Sequence, residues 1–464
     1  MIQRLSSTNI NSARNVIQNK NNNVSFAATN PVSNQNLKQI TKTSVINQPQ
    51  TALNQEQQQK YIKLLDVLKN LQPSPNSFGL TPSKQLDVLL RSGKLLAKSN
   101  HDKSTTLDNL YNMATTQRVQ GLDNTTLLTN TLDILTNPRI VTQTFGDIPN
   151  ELKPKIVEHL KDGDSVKENP SEMNVYASGT CAAASIEVTM ADKYPAEFAR
   201  WVSELSSPKK QVILNVKLDS LSKNTPESVN ILNILQAQKT NFSYQNVNVK
   251  VDADENAYIR AYVQSKYWDK GERNVADVLV QSAIMKLGSQ NTYNSLNDVR
   301  AGQFNANPQG LIELEKTFVE SLIKNKEITS LVYQKIDDEQ NLVGYNCSFD
   351  KIQKHILDTI DSGDNVILGY VLTNETAGNT AAPGYNPRQH GAKNKVINGH
   401  EITIVDYEKN KNGKITFTCV DTDDDSQETI KYDADWLLPK IHHAGYPAHI
   451  VAADEAEIMK NMVA

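Results

Sequence analysis

Cysteine is scarce in this chain, and what there is does not pair. Cys181, Cys347 and Cys419 are the three cysteines in 464 residues, far apart and with no C-x-x-C spacing. This excludes a disulfide framework or a thiolate metal site read from spacing, and leaves free thiols, in a reducing compartment or where no disulfide is needed. Aromatic residues make up 6% and hydrophobic residues 38%, with a mean hydropathy of -0.51, so part of the chain is expected to stay outside any core. An excess of one charge is missing too. With 48 basic against 52 acidic residues and a net charge of -4, there is no general field for nucleic acid or an anionic membrane. No apolar run reaches the length of a membrane span, and the first thirty residues lack the apolar block of a secretory signal. A cytoplasmic location, or export by a route without such a signal, is expected. No phosphate-binding glycine loop or basic-aromatic surface is found, and neither cofactor nor metal is expected.

What is present divides into three stretches. Residues 1–56 are dominated by Asn, Gln, Ser and Thr and cannot bury enough apolar area to offset the entropy of ordering, so a disordered polar tail is expected. Residues 57–163 turn helical: Tyr61, Leu64, Leu65, Leu68 and Leu71 recur at helical spacing, and Thr81-Pro82 opens a second helix that Gly93 ends. Segments at 107–113, 127–135 and 152–160 continue the series. This helical region reads as scaffold, prosegment or the binding site of a protein partner. Residues 164–464 mix helices at 196–205, 274–287 and 311–323 with strands at 212–216, 246–251, 366–372, 400–407 and 415–421. The long loop from Thr373 to Asn398 lies between the last regular elements.

Chemistry concentrates at two places. Ser178-Gly179-Thr180-Cys181-Ala182-Ala183-Ala184 crowds small residues around a cysteine and then continues as a helix with an apolar face at Ala184, Val188 and Ala191. A thiol in the first helical turn meets unpaired N–H groups and the positive end of the helix dipole, which favour the thiolate; the same residue also suits a small buried hydrophobe. His400 stands at the mouth of a strand directly after the long loop, and the hairpin partner ends at Asp421, so tight antiparallel pairing brings the two together. A carboxylate there would fix the imidazole tautomer. A lone histidine at a strand start is otherwise a satisfied core or surface residue.

In their order, a helix-start cysteine, a strand-start histidine and an acidic residue at the next strand's end, these parts resemble the papain-like cysteine peptidase superfamily over roughly residues 173–436. Gly179-Thr180-Cys181 is similar to the family's small-residue cysteine loop, and Asn398-Gly399-His400-Glu401-Ile402-Thr403-Ile404-Val405 to its glycine-histidine strand. The resemblance implies an α+β fold in which a central Cys-bearing helix packs on an antiparallel β-sheet, preceded by the helical region and the tail. It implies cleavage of a peptide or isopeptide bond in a protein or peptide substrate through Cys181, His400 and Asp421. Where the family has a glutamine six positions before the cysteine, this chain has Val175; Asn174 is the candidate oxyanion donor, beside the backbone N–H of Cys181. With that glutamine missing, a weak or inactive interaction protein stays open, as does transglutaminase-like acyl transfer. Asp421-Thr422-Asp423-Asp424-Asp425-Ser426 resembles the start of a calcium loop, but Ser426 replaces the turn glycine and Tyr432 the bidentate glutamate, which favours a solvated acidic turn. His442, His443 and His449 read as exposed histidines near the carboxyl end.

Overall fold

Four helices open the part of the chain that the computed structural model describes, which comprises residues 53–144, 180–217, 238–239, 246–268, 271–289, 291–296, 298–300, 310–373, 394–423 and 428–463. Helix α1 (Gln55–Leu68) begins with a capping box: the Asn54 side chain accepts from Gln57 N at 2.9 Å, and the Gln57 side chain accepts from Asn54 N at 3.0 Å. It therefore starts inside the stretch expected to be tail, because that reciprocal pair satisfies two orphan donors in a polar sequence. The rest of the expected tail lies outside the described residues. Helix α2 (Pro82–Arg91) starts on proline, although Thr81 makes no side-chain cap. Helices α3 (Thr106–Thr115) and α4 (Asn124–Thr136) are capped by Thr105 and Asp123. The expected helix at 152–160 is also outside the described residues.

The cysteine helix α5 (Cys181–Lys193) follows, then α6 (Pro195–Leu205), strands β1 (Val212–Lys217), β2 (Gln238–Lys239) and β3 (Asn246–Val251), and helices α7 (Glu255–Tyr267) and α8 (Val275–Gly288). Two short strands, β4 (Tyr293–Asn294) and β5 (Val299–Arg300), lead to helix α9 (Glu313–Lys324) and strands β6 (Ile328–Val332), β7 (Gln334–Ile336) and β8 (Asn341–Tyr345). Helix α10 (Phe349–Asp361) precedes β9 (Val366–Thr373), β10 (Asn394–Lys409), β11 (Ile415–Val420) and β12 (Ile430–Asp433). Helix α11 (Ala434–Leu437), strand β13 (Ile441–Pro447) and helix α12 (Ala448–Val463) complete the chain.

The principal sheet is antiparallel throughout, in the order β12-β11-β10-β9-β13-β6, with β8 pairing the start of β10 and β7 pairing β8. Two apolar clusters lie against it. One joins Leu64, Leu86, Leu107 and Leu132 of the first helices to Ala183 and Val188 of α5, Trp201 of α6, Leu279 of α8, and Ile367 and Val420 of the sheet. The other joins Leu368, Ile402, Ile404 and Phe417 of the sheet to Ile352 and Ile356 of α10 and Val451 of α12. Successive residues of β9 alternate between the clusters, Ile367 in the first and Val366 and Leu368 in the second, the period-2 pattern of a strand covered on both faces. The fold is α+β, built on antiparallel sheets.

Helix α5 is not one-sided. Every residue from Ala182 to Ala191 is buried, as expected of a helix enclosed by other elements rather than lying on a surface. Its small residues permit close approach: the Thr403 hydroxyl of β10 donates to the Ser185 carbonyl at 3.3 Å. Such cores also punish added volume. A Cβ at Gly288, the last residue of α8, would lie 2.8 Å from both δ-methyls of Leu311 and 3.3 Å from Val319 Cγ2. Gly288→Ala is expected to cost about 1–3 kcal/mol through overpacking, read as a lower urea midpoint at unchanged slope.

Candidate active site

Thr180 is wholly buried and immediately precedes Cys181, which opens α5. The first helical bond of the turn runs from Ala184 N to Thr180 O at 2.9 Å, so the N–H groups before it point out of the helix end without intrahelical partners. Cys181 itself is half-buried, as is Cys347, whereas Cys419 is sealed in the second apolar cluster, where burial pushes its thiol well above the ordinary range.

His400 sits in β10 opposite Tyr370 of β9, whose ring meets the imidazole edge-on at 5.8 Å between centroids. In the hairpin, Thr403 faces Val420; continuing that register places Asp421, the first residue past β11, on the diagonal from His400. His400 Nε2 meets Asp421 Oδ1 at 2.6 Å, and the Cys181 side chain acts on the same ring, helping to hold its proton. With Nε2 committed to the carboxylate, Nδ1 is the ring nitrogen left to exchange a proton with the sulfur. The side chains of His400 and Asp421 are 15% and 11% exposed, so the group lies near the surface but is largely shielded.

Burial opposes charge on His400, but the Asp421 carboxylate and its hydrogen bond, together with Cys181, outweigh it and hold the imidazole well above its usual range. Burial would raise Asp421, yet the His400 charge and hydrogen bond prevail and keep it below the ordinary carboxyl range. Both shifts stabilise an imidazolium facing a carboxylate.

Two groups with no sequence signal hold this arrangement. Residues 142–144 form a strap: Gln143 N and the Thr142 hydroxyl donate to the Thr422 carbonyl at 2.9 and 3.2 Å, and Gln143 Nε2 donates to Asp423 Oδ1 at 2.9 Å. Asp423 N in turn donates to Asp421 Oδ1 at 3.0 Å. Arg273, fully buried, donates to the Gln143 carbonyl at 2.6 Å and to the Thr180 hydroxyl, and lies 3.4 Å from Asp298 Oδ2. Strap and guanidinium therefore fix the cysteine turn and the aspartate turn to one another. Within the acidic turn, Asp421 is engaged with His400, as the hairpin register carries it there, and Asp423 is exposed while accepting from Gln143; Asp424 and Asp425 lie outside the described residues. Asn174, the oxyanion candidate, and the loop residues 374–393 are outside them as well.

A correction concerns the histidines near the carboxyl end. His449 is exposed, but His442 and His443 are only 7% and 8% exposed, because they belong to the interior strand β13, a strand their polar sequence conceals. With Glu313 of α9 they form a group whose ligand-type atoms all lie within 4.8 Å of one another. No described helix is long and apolar enough to cross a membrane. Neither a protein-family model nor a curated protein nor a solved structure matches this chain, so what the site does follows from its own atoms.

Proposed function

We propose that the chain is a thiol-dependent hydrolase of peptide or isopeptide bonds with a papain-like arrangement, a cysteine-bearing central helix against an antiparallel sheet. One observation carries this reading: a single imidazole is bonded to the Asp421 carboxylate, while the Cys181 side chain at the start of α5 acts on the same ring.

The chemistry follows from the three groups in turn. Cys181 passes its proton to His400 Nδ1, and the resulting thiolate sulfur attacks the scissile carbonyl carbon. The carbonyl oxygen takes up the negative charge, for which the Cys181 backbone N–H at the helix end is a donor. As the C–N bond breaks, His400 returns its proton to the leaving amine, and Cys181 is left as an acyl-thioester. A water, deprotonated by His400, then attacks the thioester, releasing the acid and restoring the thiol. Asp421 holds the tautomer with Nε2 protonated and stabilises the transient imidazolium.

The test is where an electrophilic peptide lands. Incubation with a peptidyl electrophile followed by peptide mapping should place the adduct on Cys181 alone. Half-buried Cys347 is the internal control. An unmodified Cys181, or Cys181 and Cys347 modified equally, would remove the basis for hydrolysis and favour a non-catalytic interaction protein.

A further inference from the structure

We propose that Glu313, His442 and His443 bind one divalent cation of the zinc class, at a site separate from Cys181. Three donor atoms converge there. His442 Nδ1 and His443 Nδ1 are 2.9 Å apart, and each is 3.4 Å from Glu313 Oε1. Donors bound to zinc at about 2.0–2.2 Å in tetrahedral geometry stand about 3.3–3.5 Å from one another, so these three already lie close to the edges of such a polyhedron. Two imidazoles and one carboxylate select a transition-series dication over calcium or magnesium, which prefer all-oxygen shells.

Neighbouring residues in a regular strand point to opposite faces, so two adjacent histidines do not ordinarily share a site. Here the pairing of β13 with β9 shifts register between Ile441 and His443. A bulge of this kind re-aims a side chain, and it brings His442 to the side of His443. The outer shell is built as well. His443 Nε2 meets Glu401 Oε1 at 2.7 Å; a proton on Nε2 leaves Nδ1 with the lone pair a metal needs. Lys316 Nζ, fully buried, holds the other Glu401 oxygen at 2.8 Å. Gly369 makes room for this pair: a Cβ there would collide with the His443 ring and lie 2.7 Å from Glu401 Oε1. Burial, convergence, an oriented tautomer and a cleared wall are what a metal centre requires, and they join α9 to β13 and, through Glu401, to β10.

The test uses the full chain carrying Cys181→Ala, which removes the thiol as a competing ligand. After chelator treatment and dialysis, zinc chloride is titrated in by calorimetry. One zinc per chain is expected, and Glu313→Gln or His442→Asn in the same background should weaken binding by about 100-fold or more, at the upper end of what losing even an outer-shell partner costs. No uptake, or equal uptake by these variants, would overturn the site and show that a shared proton holds the three groups. If the variants fail to fold, cobalt(II) added to the Cys181→Ala chain decides. Intense visible bands of a four- or five-coordinate nitrogen-oxygen site support it, and the weak spectrum of hydrated cobalt overturns it.

Discussion

Cys181→Ala is expected to lower kcat for hydrolysis of an activated peptidyl ester by roughly 10⁶-fold, the scale seen when the nucleophile of a catalytic triad is removed. The replaced side chain is half-buried at a helix start where alanine is well tolerated, so the folded state should persist with an unchanged melting profile. His400 and Asp421 would remain bonded, yet neither can form the acyl intermediate. A variant that retains more than a few per cent of the rate would show that the sulfur is a bystander. Adding an amine to the wild-type reaction separates hydrolysis from acyl transfer, since only the latter incorporates the amine into product.

Asp421→Asn should be the next most damaging change, by about 10⁴-fold in kcat, because an amide that donates to Nε2 leaves the proton of neutral imidazole on Nδ1, facing the thiol. The pH profile distinguishes this from simple misfolding. In the wild type the imidazolium is held well above its usual range by Asp421, with Cys181 contributing, so it persists at neutral pH and is lost only as pH rises through that raised value. Removing the carboxylate takes away the leading upward influence while burial remains. The alkaline limb of kcat/KM, where the imidazolium that protonates the leaving amine is lost, should therefore move down. The matching stability effect has two signs: the raised His400 contributes below its unfolded value near 6.5 and loses its contribution as pH rises through the folded value. Asp421, held low by His400, contributes above about 3.8 and loses its contribution as pH falls. A variant with normal rate and an unmoved limb would dismiss Asp421 as the orienting group.

How much of this was legible depends on whether the signal was local. Cys181 could be placed because small residues run directly into a helix-forming stretch, and His400 with Asp421 because two apolar strands and an Asn/Gly turn define one hairpin. Helix α7 was not legible: Arg260 and Gln264 are buried on it, so polar residues occupy positions where an apolar stripe would be sought. Strand β13 was hidden for the same reason, with His442, His443, Gly445 and Pro447 interrupting any strand pattern. The strap at 142–144 and Arg273 reach the aspartate and cysteine turns over 280 and 93 residues of chain, Glu313 is as remote from His442, and no spacing rule reaches that far. The bulge that turns His442 is a property of pairing between strands, absent from either strand alone.

Strand β10 carries its two neighbours His400 and Glu401 to different duties, one to the sulfur and the other to the β13 histidine. Inserting or deleting one residue anywhere between the irregularity at Val396/Asn398 and the one at Ile404/Asp406 would rotate the strand's side chains by half a turn. A carboxylate would then confront the thiol and an imidazole would confront Lys316, so both centres would fail in a single event. This stretch should accept changes of side chain far more readily than any change of length.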